Sequence, residues 1–89
     1  MEFRWNEWNL EHIAEHGVRP EEAERVVENA RPPYPEARED RKLLVIGRGL
    51  GERWLQLIYV LDDDGTAFVI HARPLDDGEK RRYRRRMRR

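Results

Sequence analysis

The sequence contains no cysteine, so neither a disulfide framework nor a thiolate metal site is available to it. No hydrophobic run approaches the length that crosses a membrane, and the opening MEFRWNEWNL lacks the apolar stretch of a signal peptide. Repeats at solenoid spacing and low-complexity linkers are also missing. The 89 residues therefore read as one domain, 1–89, with no membrane partner and a cytoplasmic location by default, near the lower size limit for a single core. Lysine is scarce, at 2 residues against 16 arginines. Such an excess favours forked, bidentate contacts over point charges, although coding bias would produce it too.

What is present is charge, and it is unevenly placed. The formal net charge is +0, yet residues 1–40 carry 5 basic and 11 acidic side chains, net −6. Residues 41–89 carry 13 basic and 7 acidic, net +6, and the chain ends EKRRYRRRMRR. A dipole of this kind puts one partner surface on the C-terminal half.

Residues 2–5 are expected to form a short strand. Asn6 caps a helix running to about His16, where Gly17 supplies a left-handed stop. Pro20 suits the first turn of a second helix, with Glu21 and Glu22 at its positive end. The apolar face of that helix is Ala23, Val26, Val27 and Ala30, at i, i+3, i+4 and i+7. Three prolines in RPPYPEARED end it and exclude a central strand there. Three runs rich in β-branched and aromatic residues follow, at 42–48, 53–61 and 66–73, joined by loops short enough for hairpins. Pro74 stops the third run, Asp76 or Asp77 can cap, and a final helix covers about 77–87. The expected order is β-α-α-β-β-β-α. It describes an α+β fold, an antiparallel meander with two N-terminal helices packed on one face and a C-terminal helix.

If both hairpin loops hold an even number of residues, alternation divides the strands into two faces. Leu44, Ile46, Leu55, Leu57, Tyr59, Leu61, Phe68, Ile70 and Ala72 form the core face. Leu43, Val45, Gly47, Trp54, Gln56, Ile58, Val69, His71 and Arg73 form the other. Trp54, Gln56, His71 and Arg73 then gather near one end, with Arg48 and Arg53 flanking the first hairpin loop beside them. Guanidinium forks match phosphate oxygens, and an exposed aromatic ring offers a stacking plane for an unpaired base. RNA can be cut without a metal when its own 2′-OH attacks the adjacent phosphorus. Arginine neutralises charge but cannot act as a base, so His71 is the titratable candidate in this patch.

His12 and His16 stand four apart on one helical face with Trp8. The intervening residues lack the glutamate of a zinc-protease helix and no third ligand is apparent, so a structural pair is expected. GRGLG joins two strands and has no Lys-Ser/Thr step, so it is not read as a phosphate loop. In the tail, Tyr83 and Met87 are four apart and would dock one side of the final helix, leaving arginines outward.

The stretches FRWNEWNLEHIAEHGVRPEEAERV, RKLLVIGR and FVIHARPLDDGEKRRYRR together resemble the BrnT family of toxins from type II toxin–antitoxin systems. Trp5, His16–Gly17, Gly47–Arg48, Ala72–Arg73 and the Glu79 to Tyr83 spacing carry the resemblance, which spans nearly the whole chain. It implies a RelE-like fold and an endoribonuclease that acts on messenger RNA without a required metal or other cofactor, restraining translation. It also implies a cognate, BrnA-like antitoxin carrying a DNA-binding domain, so that DNA would be met only through that partner. On this resemblance Arg48, Arg73 and Tyr83 match family positions. His71 stands where many relatives have a small polar residue.

Two functional expectations result. In the first, the chain is a metal-independent endoribonuclease with Arg48, Arg73, His71 and Tyr83 as catalytic candidates. Arg41, Arg53, Trp54, Gln56, Arg81, Arg82 and Arg85 would then bind RNA. In the second, the same basic face holds an acidic antitoxin-like protein, or RNA, without cleavage.

Overall fold

Two helices, a four-stranded antiparallel sheet and a last helix follow one another along the chain. The computed structural model describes residues 1–88, without the side chain of Glu52; Arg89, the last residue of the basic tail, lies outside the described residues. The elements are α1 (Glu7–Ala14), α2 (Pro20–Glu28), β1 (Glu36–Ala37), β2 (Leu43–Arg48), β3 (Trp54–Leu61), β4 (Ala67–Pro74) and α3 (Asp77–Met87). Strand order in the sheet is β1-β2-β3-β4. The architecture is α+β, as expected, with one strand traded for another.

Residues 2–5 do not form the anticipated strand. They make a single parallel bridge, Phe3 to Ala67, fastened by the Arg4 N–H donating to the Ala67 carbonyl at 2.8 Å. The fourth strand comes instead from the proline-rich segment. β1 begins only after the last of the three prolines and pairs Glu36 with Leu44 and Ala37 with Leu43, so no ladder position needs a missing N–H. It is an edge strand, and it covers only the first part of β2.

Helix ends follow local chemistry. Asn6 accepts from the Asn9 N–H while the Asn9 side chain accepts from the Asn6 N–H, a reciprocal cap. Asn9 is buried, and its amide satisfies itself by donating to the Arg4 carbonyl at 3.1 Å. α1 stops at Ala14, and Gly17, at φ +70, turns the chain toward α2. Asp76 and Glu79 form a second reciprocal cap at the start of α3.

The sheet's faces differ from the even-loop expectation. Both hairpin loops, 49–53 and 62–66, have five residues, and an odd count reverses the parity of the pairing. Arg48 lies opposite Trp54 and Val45 opposite Leu57. Leu43, Val45 and Gly47 therefore share a face with Leu55, Leu57 and Tyr59, in place of Leu44 and Ile46. Next to the second loop, Ala67 and Val69 likewise replace Phe68 and Ile70 on that face. A β-bulge then intervenes at Ile58/Tyr59, and beyond it Ile58 meets His71, Leu57 meets Ala72 and Gln56 meets Arg73. The bulge restores the expected grouping of Gln56, His71 and Arg73 on one face.

Ile13, Val26, Val45, Leu55, Leu57, Ala67, Val69 and Ala72 form the fully buried centre. α2 covers the β2–β3 part of this face, with Val26 over Gly47. α1 lies along β4 and straddles that sheet edge. Ile13 turns inward, while Trp8 stacks on Phe68 with ring centroids 5.9 Å apart and His16 meets His71 at 5.8 Å. α3 attaches to the opposite face through Tyr83, whose ring lies 4.7 Å from that of Trp54. Among the described residues, no helix is long and apolar enough to cross a membrane.

Candidate nucleic-acid interface

Where β1 ends, the outer edge of β2 is left between α2 and α3. A cleft of about 800 Å³ opens there, between the C-terminal end of α2, the Ile46–Gly49 end of β2, Trp54 and α3. Five arginines line it: Arg25 and Arg31 from the α2 side, Arg48 from β2, and Arg84 and Arg88 from α3. None of the described lining side chains is acidic. Cations gathered in one concavity repel one another and focus a positive field, so an anion that neutralises several of them is favoured.

The aromatic part of the cleft is Trp54 and Tyr83. The Arg48 guanidinium lies 4.6 Å from the Trp54 ring centroid, and Tyr83 packs on the same indole with its ring tilted by 52°. Trp54 is thus already engaged by protein groups, and any base would meet Arg48 and Tyr83 stacked on it. Tyr34, buried under α3, stacks on Tyr83 from the other direction at 6.1 Å. Burial pushes the Tyr83 phenol above its ordinary pKa, against the opposing pull of Arg31 and Arg48, so it is protonated at neutral pH.

Arg73 and Gln56 sit on the same sheet face as Trp54, and Gln56 and Arg73 are cross-strand partners. Arg48 and Arg73 therefore do share one face. The Arg73 guanidinium, however, is clasped. Its two terminal nitrogens donate to the two carboxylate oxygens of Glu79 at 2.7 and 2.6 Å, and one also reaches the Gln56 amide oxygen at 3.4 Å. Hydrogen bonds from Arg73 and the Asp76 N–H hold the Glu79 carboxyl down at about 2.

Arg53 is elsewhere. Alternation turns it to the helix-covered face, because it precedes Trp54 by one residue. It forms a forked pair with the buried Glu22, both bonds at 2.8 Å, and also donates to the Gly17 carbonyl. Gly49 makes room for this contact: a Cβ there would stand 2.4 Å from Glu22 Cγ. Arg53 flanks the first hairpin loop as expected, but it locks α2 to that hairpin and lies outside the cleft lining, away from the patch it was expected to join.

His71 also lies outside the cleft lining. Burial lowers its pKa, with Arg73, His16 and His12 acting in the same direction, so it is neutral at physiological pH. His12 donates through Nδ1–H to the Trp8 carbonyl at 2.8 Å, and its ring packs on the Trp8 ring, tilted by 32°. Among the described residues no three His, Cys, Asp or Glu side chains gather as a metal site. Arg41 lies in the turn before β2, at the strand end remote from Arg48. Arg81, Arg82 and Arg85 are exposed on α3 outside the cleft lining, and Arg86 pairs with Glu36 while covering the Tyr34 ring.

The cleft thus unites Arg48, Trp54 and Tyr83 with four arginines that sequence reading passed over. Arg84 and Arg88 neighbour Tyr83 and Met87 in the sequence, so the docking pair marked their part of the helix. Which flank of that pair faces the cleft depends on how α3 is seated. Arg25 and Arg31 carried no signal beyond charge, since their half of the chain is acidic. Compared with known proteins, the chain matches no family model, no curated protein and no solved structure.

Proposed function

We propose that the chain is the toxin component of a type II toxin–antitoxin system, an endoribonuclease that binds single-stranded messenger RNA in the arginine cleft and restrains translation. The observation that carries this reading is the convergence of five guanidinium groups on one concavity floored by Trp54 and Tyr83. Arginines would hold successive phosphates, and a base would stack on the Arg48–Tyr83 surface. The resemblance of the sequence to BrnT toxins and the succession of helices, antiparallel sheet and C-terminal helix support a RelE-like assignment.

In the cutting step the 2′-oxygen attacks phosphorus, a 2′,3′-cyclic phosphate forms, and the bond to the 5′-oxygen breaks. Arg48, Arg84 and Arg88 would neutralise the crowded phosphorane. Tyr83, kept protonated by burial, would give its proton to the departing 5′-oxygen. No imidazole or carboxylate is among the described lining residues, so the proton of the 2′-OH leaves to solvent hydroxide. The rate should then climb by about tenfold per pH unit through neutrality, with no plateau near a histidine pKa.

The test is incubation of the purified protein with single-stranded RNA in EDTA, with analysis of the product ends. Cyclic phosphate termini and a slow Tyr83→Phe variant that still binds RNA support the proposal. Intact RNA at large protein excess removes the catalytic part of it.

The second reading is a basic module that binds an acidic antitoxin-like protein, or RNA, without cleavage. The absence of a described base in the cleft and the occupation of Arg73 by Glu79 favour it. Under either reading a BrnA-like antitoxin would compete through acidic side chains for the same arginines. RNA that is bound but never cut, with displacement by an acidic partner, would select this alternative.

A further inference from the structure

We propose that Arg73 is a positioning residue: its ion pair with Glu79 seats α3 on the sheet and so holds Tyr83, Arg84 and Arg88 over the cleft. The RNA part of this inference rests on the function proposed above, while the docking part does not.

The argument begins with how little holds α3. None of its described residues is buried. Its contacts form a stripe, Glu79, Tyr83, Arg86 and Met87, at i, i+4, i+7 and i+8, which is the spacing of one helix face. Tyr83 and Met87 are only half-buried, and the other two members of the stripe form ion pairs, Glu79 to Arg73 and Arg86 to Glu36. A helix of 11 residues is marginal without tertiary support, so each latch has leverage on its position.

Glu79 is built for this role. Its Oε1 accepts from both Arg73 Nη1 and the Asp76 N–H, at 2.7 and 3.0 Å, while Asp76 caps the Glu79 N–H at 2.8 Å. One carboxylate therefore joins the strand end, the helix cap and the first turn. A phosphate seeking Arg73 would have to expel that carboxylate and leave it beside an anion. The two ideas predict opposite signs for Glu79→Gln. If Glu79 competes with RNA for Arg73, removing its charge strengthens RNA binding. If the pair seats α3, removing the charge weakens it.

The experiment measures binding of a fluorescein-labelled, 2′-O-methylated oligouridylate, which cannot be cut, across a salt series with the full chain. Glu79→Gln and Arg73→Met should both weaken binding. Arg73→Met should lower the salt slope by about 1.4, the loss of two phosphate contacts at Arg84 and Arg88, rather than the ~0.7 of one direct contact. Adding Arg73→Met to the pair Arg84→Met and Arg88→Met should cost little further, because the guanidinium groups that the seat positions have already been removed. Additive losses, or tighter binding by Glu79→Gln, overturn the proposal. In the free protein, Arg73→Met and Glu79→Gln should shift the Tyr83 ring resonances, since its contact with Trp54 depends on the seat. Unchanged resonances in both variants overturn it as well. That readout needs no RNA, so failure of the RNA reading and failure of this inference are told apart.

Discussion

The two sides of the sheet are each fastened by a forked arginine–carboxylate pair, and the pairs do different things. On the α2 side, Arg53 holds Glu22, a buried residue of α2 lying against Gly49. On the α3 side, Arg73 holds Glu79 of a helix that buries none of its described residues. The same bonding chemistry thus joins a core in one place and hangs an appendage in the other. Removing the first leaves a buried carboxylate without its cationic partner; removing the second frees a helix and the cleft wall it carries.

The comparison can be broken at its hydrophobic layers first. Leu57→Ala, in the fully buried layer, should cost about 2–5 kcal/mol of unfolding free energy. Met87→Ala under α3 should cost well below that, because a half-exposed side chain loses little transfer energy. Urea titrations of both variants decide the matter, and equal losses would mean that α3 belongs to the core.

A smaller effect sharpens the contrast between the ion pairs. Arg53→Met should destabilise the fold by about 1–3 kcal/mol, toward the lower end because the Arg53 side chain is 40% exposed and solvent screens it. Arg73→Met should leave the main unfolding transition nearly in place. A calorimetric scan in which the second variant falls as far as the first would erase the distinction.

The smallest effect is in pH. Glu79 has a folded value of about 2, below its ordinary 4.5, so its contribution to seating α3 is complete above the ordinary value. As pH falls from there toward about 2, the carboxylate protonates and the contribution disappears. Trp54 fluorescence, referenced to a Trp54→Phe variant, should report the release in that window. The Glu79→Gln protein should show no such step; a step of undiminished size would assign the transition to another group.

Local chemistry made much of this molecule readable from residues alone. Asn6, Gly17, Pro20 and Asp76 mark helix ends because caps and stops act within one turn, and α3 covers the residues expected of it. The strands were legible because β-branched runs between polar loops leave few other options. Their faces were not, because one additional loop residue inverts the pairing and a bulge opposite Tyr59 inverts it back. β1 was hidden behind prolines that stop just short of it.

The same division runs through the site. The polarity of the chain, its arginine-for-lysine bias and the Tyr83–Met87 docking pair were written in the order of the residues. Only tertiary structure decided that Arg53 serves the core, that Arg73 is held by Glu79, and that Arg25 and Arg31 from the acidic half join Arg48, Arg84 and Arg88. Charge is a property of a residue and can be counted along a chain. The partner that a charge meets is set by strand parity and helix seating, which depend on loops and bulges far from the charge itself.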